Sequence, residues 1–180
     1  MPSTGPGATI WITGLPAAGK STTAQAAKAL LDELGVRAAV LDGDALRALM
    51  DQPLGFSRED RATAVESAGR LALEHAASGT VALTALVSPY RDDRDKVRAA
   101  HEEAGVAFVE VWMATPVETC IERDPKHLYE KALRGELSHM TGIDDPFEPP
   151  DEPELAVTPS LTPDAAATKI IEALRRLGVL

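Results

Sequence analysis

The chain has 180 residues, and its 18 Lys or Arg stand against 28 Asp or Glu, a formal charge of −10. That length suits one compact domain, and a composition of 44% hydrophobic and 26% charged residues excludes the disordered and fibrous classes. So acidic a chain lacks the concentrated cations that bind a phosphate backbone, so no nucleic-acid partner is expected, and any anionic ligand has to be held by a few placed cations.

Ala8 to Thr13 (ATIWIT) reads as a buried first strand. Gly14-Leu15-Pro16-Ala17-Ala18-Gly19-Lys20-Ser21 follows it and fits G-x-x-x-x-G-K-[ST], with Thr22 next. In such a loop the glycines allow a tight turn whose N–H groups face phosphate oxygens. Lys20 reaches the β and γ phosphates, Ser21 ligates Mg²⁺, and the next helix presents its positive end. No Lys-x-Asp guanine signature is visible, which favours ATP.

The second strand, Val36 to Leu41, runs into Asp42-Gly43-Asp44. Two carboxylates around a glycine at the carboxyl end of a parallel strand lie where ligands bind in such sheets. Asp42 and Asp44 are the candidates to hold Mg²⁺ or to face the attacking group, with Asp44 also a candidate N-cap of the next helix. Arg47 and Arg61 offer planar forks of donors to a phosphate or sulfate. Phe56, beside Gly55, offers either a core ring or a base-stacking face.

A third strand is expected at Val81 to Val87 and a fourth at Val106 to Met113. A short one follows at Leu155 to Thr158. From about Arg123 to Pro153 the pattern breaks: two glycines and five prolines stand among polar residues, and a stretch that long and irregular is more often functional than accidental. It reads as a lid with a short helix around Leu128 to Arg134, whose basic run Arg123, Lys126, Lys131 and Arg134 suits closure over transferring phosphates. Thr162-Pro163-Asp164 opens a closing amphipathic helix, its apolar stripe running through Ala167, Ile170, Ile171, Leu174 and Leu177.

Near-continuous apolar strands alternating with helices make the expected fold α/β: a doubly wound five-stranded parallel sheet of the P-loop NTPase, nucleoside-monophosphate-kinase-like type. A single kinase domain over residues 1–180 is expected, with the lid over 123–153. Cys120 is the only cysteine, which rules out an intrachain disulfide, and it reads as core, as do Trp11 and Trp112. His75, His101, His127 and His139 show no metal-ligand spacing, so surface or lid positions are their default. No run reaches the ~18 apolar residues of a membrane helix and no signal peptide is visible; a cytoplasmic protein with no membrane partner is expected.

In order along the chain stand GLPAAGKST, LDGD, LGFS with Asp60-Arg61, Val87-Ser88-Pro89-Tyr90-Arg91, Arg123-Asp124-Pro125-Lys126 with Leu128-Tyr129, and Thr141-Gly142-Ile143-Asp144. Together they resemble the adenylyl-sulfate (APS) kinase family over about residues 8 to 157. The resemblance implies transfer of phosphate from MgATP to the ribose 3′-hydroxyl of adenosine 5′-phosphosulfate, giving PAPS and ADP in sulfate assimilation. It makes Asp44 the base, Arg47 and Arg61 contacts to the acceptor's anion, and Phe56 its stacking ring. Val87 and Ser88 become an acceptor wall and Lys126 a lid lysine near the reacting phosphates. Arg123 falls with the phosphate loop on the ATP side. The family serine matching Ser88 has been described as a phosphoryl carrier; direct in-line transfer with Ser88 as a binding group is the reading preferred here. Exposed apolar helix faces in this family commonly make dimers, so a homodimer is expected.

The departures from the family pattern are expected on the acceptor side. Ala45 and Ala64 stand where the family has Asn, and Met140 stands where it has an aromatic residue that covers the acceptor's base, a role methionine can still fill less specifically. Two alternatives therefore stay open: a divergent kinase acting on a hydroxyl of another small anionic or nucleotide-like metabolite, and a nucleotide-gated binding module with little catalysis.

Overall fold

The computed structural model describes residues 5–48 and 54–180. Five parallel strands form one sheet in the order β2-β3-β1-β4-β5. They are β1 Ala8–Gly14, β2 Ala38–Asp42, β3 Val81–Ala85, β4 Ala107–Met113 and β5 Leu155–Val157. β1 and β3, two of the three inner strands, are buried at every residue, which is why their sequences run apolar or threonine throughout instead of alternating. β2 and the three-residue β5 lie at the edges, where only part of each strand is covered. β3 ends at Ala85, two residues before the expected limit, because Val87 to Pro89 leave the ladder to form a wall of the cavity described below.

The helices are α1 Lys20–Glu33, α2 Gly43–Ala48, α3 Arg58–Ala77, α4 Arg91–Glu103, α5 Val117–Arg123, α6 Leu128–Leu133 and α7 Pro163–Arg176. On one face α1 and α7 pack Leu31, Ile170 and Leu174 against Ile10 and Ile12 of β1. On the other, α3 and α4 cover Trp11, whose indole stacks on Phe108 at 6.2 Å between ring centres. Ser57 caps α3 by accepting from the Asp60 N–H at 3.1 Å, and its hydroxyl donates to the Asp60 carboxylate at 2.9 Å. Thr162 caps α7 in the same way through Ala165, and Pro163 opens the helix as its spacing predicts.

Two side chains fall elsewhere than expected. His101 is neither surface nor lid: it is fully buried on α4, with Nε2 2.8 Å from the Thr9 hydroxyl and Nδ1 2.8 Å from the Val97 carbonyl, and burial pushes its pKa down. Trp112 is only half-buried, lying on β4 beside the edge strand β5; Trp11 and Cys120 are core. Among the described residues no helix is long and apolar enough to cross a membrane.

Candidate active site

Ligands in parallel sheets bind at the carboxyl ends of the strands. There a cavity of about 530 Å³ opens between the Gly14–Ser21 loop, α2, the start of α3, the Val87–Pro89 turn and the segment from Arg123 to Met140.

The loop wraps tightly because two glycines take conformations other residues avoid. Gly14 has φ 151°, and a Cβ there would sit 2.9 Å from that of Met113; Gly19 precedes α1 at φ 97°. Gly19 caps α1 with no side-chain bond, and Gly19 to Thr22 line the cavity, so the helix presents its first-turn N–H groups and its positive end there. Lys20 Nζ donates to the carbonyls of Gly14 at 3.0 Å and Leu15 at 2.8 Å. Burial lowers its pKa to about 8, even though Asp42 and Asp44 pull the other way. An ammonium held this way gains from an incoming anion. Pro16, Ala17, Gly19, Lys20, Ser21 and Thr22 line the cavity, while Gly14 and Leu15 serve through their carbonyls and Ala18 faces a second cavity.

Ser21 Oγ donates to Asp42 Oδ2 beside the start of α1. Two hard oxygen donors meeting there fit Mg²⁺, which takes few protein ligands and completes its shell with phosphate oxygens and water. Among the described residues no cluster of three or more His, Cys, Asp or Glu is arranged to hold a metal unaided. Asp42 Oδ1 also accepts from the Asp44 N–H at 3.0 Å, so Asp42, not Asp44, caps the turn into α2. The reason is position: the helix starts at Gly43, one residue before Asp44.

Across the cavity from the loop, Arg47 and Arg61 flank the half-exposed Phe56 ring, with guanidinium carbons 4.7 and 5.6 Å from its centre. Arg47 donates to the carbonyls of Leu54 and Gly55, and Arg61 to those of Phe56 at 3.0 Å and His139 at 2.5 Å. Ala64, one turn after Arg61, and the buried Met140 also line this side; Ala45 is exposed and does not, so the departures at that side are two and not three. Val87, Ser88, Arg123 and Lys126 complete the lining. Lys126 contacts the Asp44 carboxylate directly.

Ser88 is buried, and its hydroxyl both accepts and donates a hydrogen bond within the fold. Its oxygen accepts from Trp11 Nε1 at 3.1 Å and donates to Thr13 Oγ1 at 2.9 Å, which in turn donates to the Val87 carbonyl at 2.7 Å. The hydroxyl proton is donated within the fold and one of its two lone pairs is taken by the indole, which anchors Ser88 in the wall of the cavity.

Two features went unread in the sequence. Tyr129, buried on α6, donates to the Pro16 carbonyl at 2.8 Å and so ties the segment after α5 to the crown of the phosphate loop; burial raises the pKa of its phenol. A second cavity of about 320 Å³ lies on the other flank of the loop. Thr22, Thr23 and Arg123 line it together with residues from Val157 to Pro163. The signal was the short Thr-Pro-Ser turn at the carboxyl end of the last strand, where ligands also bind. Gly19, Thr22 and Arg123 border both cavities, which therefore meet at the loop.

A sequence model of the adenylylsulphate kinase family matches residues 6–158. The chain is 43% identical over 172 residues to an adenylyl-sulfate kinase of Myxococcus xanthus, covering 95% of this chain and 92% of that one. It superposes on the Mycobacterium tuberculosis APS kinase CysC, solved in complex with AMPPNP and APS, with a TM-score of 0.92 and 41% identity over 95% of this chain and 99% of that one. A hexameric APS kinase from Thiobacillus denitrificans gives a TM-score of 0.72 and 32% identity over 98% of this chain and 30% of that longer one. With this sequence match, and with the phosphate loop, Asp44 and the arginine-flanked Phe56 gathered around one cavity, the chain belongs to the adenylyl-sulfate kinase family.

Proposed function

We propose that the chain transfers the γ-phosphoryl group of ATP to the 3′-hydroxyl of adenosine 5′-phosphosulfate, giving PAPS and ADP. Membership in the family makes it an ATP-dependent phosphotransferase acting on a hydroxyl. The observation that carries the acceptor is the Arg47–Phe56–Arg61 arrangement, which offers a stacking face between two anion-binding forks, opposite the phosphate loop and beside a carboxylate. That chemistry fits a small nucleotide bearing a strong anion.

In this reading the donor's nucleoside occupies the second cavity and its phosphates lie over Gly19 to Thr22, with Arg123 at the junction. Lys20 exchanges its carbonyl partners for phosphate oxygens. Mg²⁺ held by Ser21 and Asp42 would neutralise charge on the β and γ phosphates. Arg47 and Arg61 hold the acceptor's phosphosulfate end, with Phe56 and Met140 against its base. Asp44 takes the proton of the attacking hydroxyl as the new O–P bond forms and the bond from γ-phosphorus to the bridging oxygen breaks. Lys126 is placed to stabilise the oxygens of the group in flight. The engaged hydroxyl of Ser88 supports direct transfer, with Ser88 as part of the acceptor wall.

The proposal includes a single kinase domain over the chain with residues 123–153 as its lid, a cytoplasmic location, and a second copy of the chain as partner. The assignment of the acceptor is tested by steady-state kcat/KM in a coupled ADP assay with APS, AMP, adenosine and other hydroxyl-bearing anions in parallel. A value for APS above about 10⁴ M⁻¹s⁻¹ and above those of all the others is the expected result. Below about 10³ M⁻¹s⁻¹, with another acceptor preferred, the divergent-kinase alternative takes its place.

A further inference from the structure

Arg94 lies on α4, outside the cavity lining, and is 1% exposed. All three arms of its guanidinium are used, each on a different part of the fold. Nε donates to Glu110 Oε1 of β4 at 2.9 Å, Nη1 to the Ser88 carbonyl at 2.7 Å, and Nη2 to the Glu148 carbonyl at 2.7 Å. The Ser88 carbonyl belongs to a residue held at φ 39°, a left-handed conformation that a non-glycine residue keeps only where its surroundings enforce it. Ser88 and Val87 form the acceptor wall.

Glu148 docks on the same turn by two further bonds. Its N–H donates to the Pro89 carbonyl at 2.8 Å, and its carboxylate accepts from the Arg91 N–H at 2.8 Å, capping α4 where Tyr90 supplies no side-chain cap. Arg91 then holds the Pro149 carbonyl at 2.9 Å. The far end of the 123–153 segment is thus stitched along the turn that makes the acceptor wall. Its near end is stitched instead to the phosphate loop, through Tyr129 and Pro16.

We propose that Arg94 is a positioning residue for the acceptor: with Glu148 it clasps the far root of the lid to the Val87–Ser88 turn, so that the wall and the lid keep one geometry around the bound acceptor. This rests on the reading of that side as the acceptor site. A buried arginine spent on two carbonyls and one carboxylate needs its planar fork, which lysine lacks.

Two variants test it in the full-length protein. Arg94→Lys keeps a positive charge beside Glu110 and loses the fork; Glu148→Ala removes only the α4 cap. With the acceptor that wild type turns over best, Arg94→Lys should raise the acceptor KM about tenfold or more and Glu148→Ala about threefold, while the ATP KM stays within about twofold. Hydrogen exchange of the residue-148 amide, which is bonded to the Pro89 carbonyl, measured without substrates, should quicken in both. Equal shifts in the KM for ATP and for acceptor, or unchanged exchange at residue 148, overturns the proposal. If Arg94→Lys does not fold, Glu148→Ala decides by the same two readouts. Wild-type preference among acceptors tests the functional reading separately, because the clasp is judged only from variant-to-wild-type ratios and from exchange.

Discussion

Lys126 sets its ammonium against the carboxylate of Asp44, joining residues 82 positions apart across the mouth of the cavity. Both side chains are largely exposed, at 62% and 71%, so the contact does little for stability. Its meaning is placement: the cation of the proposed lid and the proposed base occupy one spot. Lys126→Met should therefore leave the melting temperature within about 1 °C of wild type while kcat falls roughly 10- to 100-fold. Thermal melts alongside saturating kinetics check both halves, and a wild-type kcat removes Lys126 from the transfer step.

Asp44→Asn preserves the side chain's shape but cannot accept the hydroxyl proton. Loss of a general base slows a reaction by about 10² to 10⁴, and the expected loss is in kcat, with the ATP KM little changed. Asp42 stands differently, since it caps α2 and meets Ser21, so Asp42→Asn should raise the Mg²⁺ concentration needed for half-maximal rate. An Asp44→Asn enzyme with normal kcat would shift the base elsewhere.

Lys20 carries a pH signature. Its folded pKa of about 8 lies below the ordinary lysine value of 10.5, so between those limits the unfolded chain binds the proton and the folded chain does not. Relative to Lys20→Met, wild type should gain stability as pH rises from about 8 to 10.5, with its full deficit present below about 8. Nucleotide phosphates favour the charged ammonium. Binding an ATP analogue at pH 8 should then take up about half a proton from the buffer, read by calorimetry in buffers of different ionisation enthalpy. No uptake in wild type, or equal uptake in Lys20→Met, contradicts the assignment. Lys20→Ala should lower turnover by roughly 10² or more with the fold intact.

On the proposed acceptor side Ala64 offers no polar group; it is 7% exposed in the cavity wall one turn beyond Arg61. If APS is the acceptor, Ala64→Asn should leave kcat unaltered and keep or lower the APS KM, by up to about tenfold where a new hydrogen bond to a charged group forms. The same change should do nothing for adenosine, which carries no anion. A raised APS KM with unchanged turnover of another acceptor points to the divergent alternative.

Much of this protein was legible as sequence because its signals are local. Seven consecutive residues carry the loop's glycines and lysine, near-continuous apolar runs mark the inner strands, and Thr162-Pro163 announces α7 by the chemistry of a helix start. Every residue assigned to the acceptor, from Asp42 to Met140, lines one cavity: they come from the ends of β2 and β3, from α2, from the approach to α3 and its first turn, and from the segment after α5. What tertiary structure alone decided concerns pairs with no local pattern to announce them. Helical spacing puts Arg94 and His101 on a buried face of α4, yet nothing within the helix says that one will clasp Ser88 and Glu148 while the other meets Thr9. Ala45 and Trp112 failed for the same reason: whether a position faces a cavity or is covered depends on the length and path of its neighbour in space. The crossover connections that bring β3, α4 and the end of the lid to one edge of the cavity are made by the whole chain, and only packing settles which carbonyls meet a buried guanidinium there.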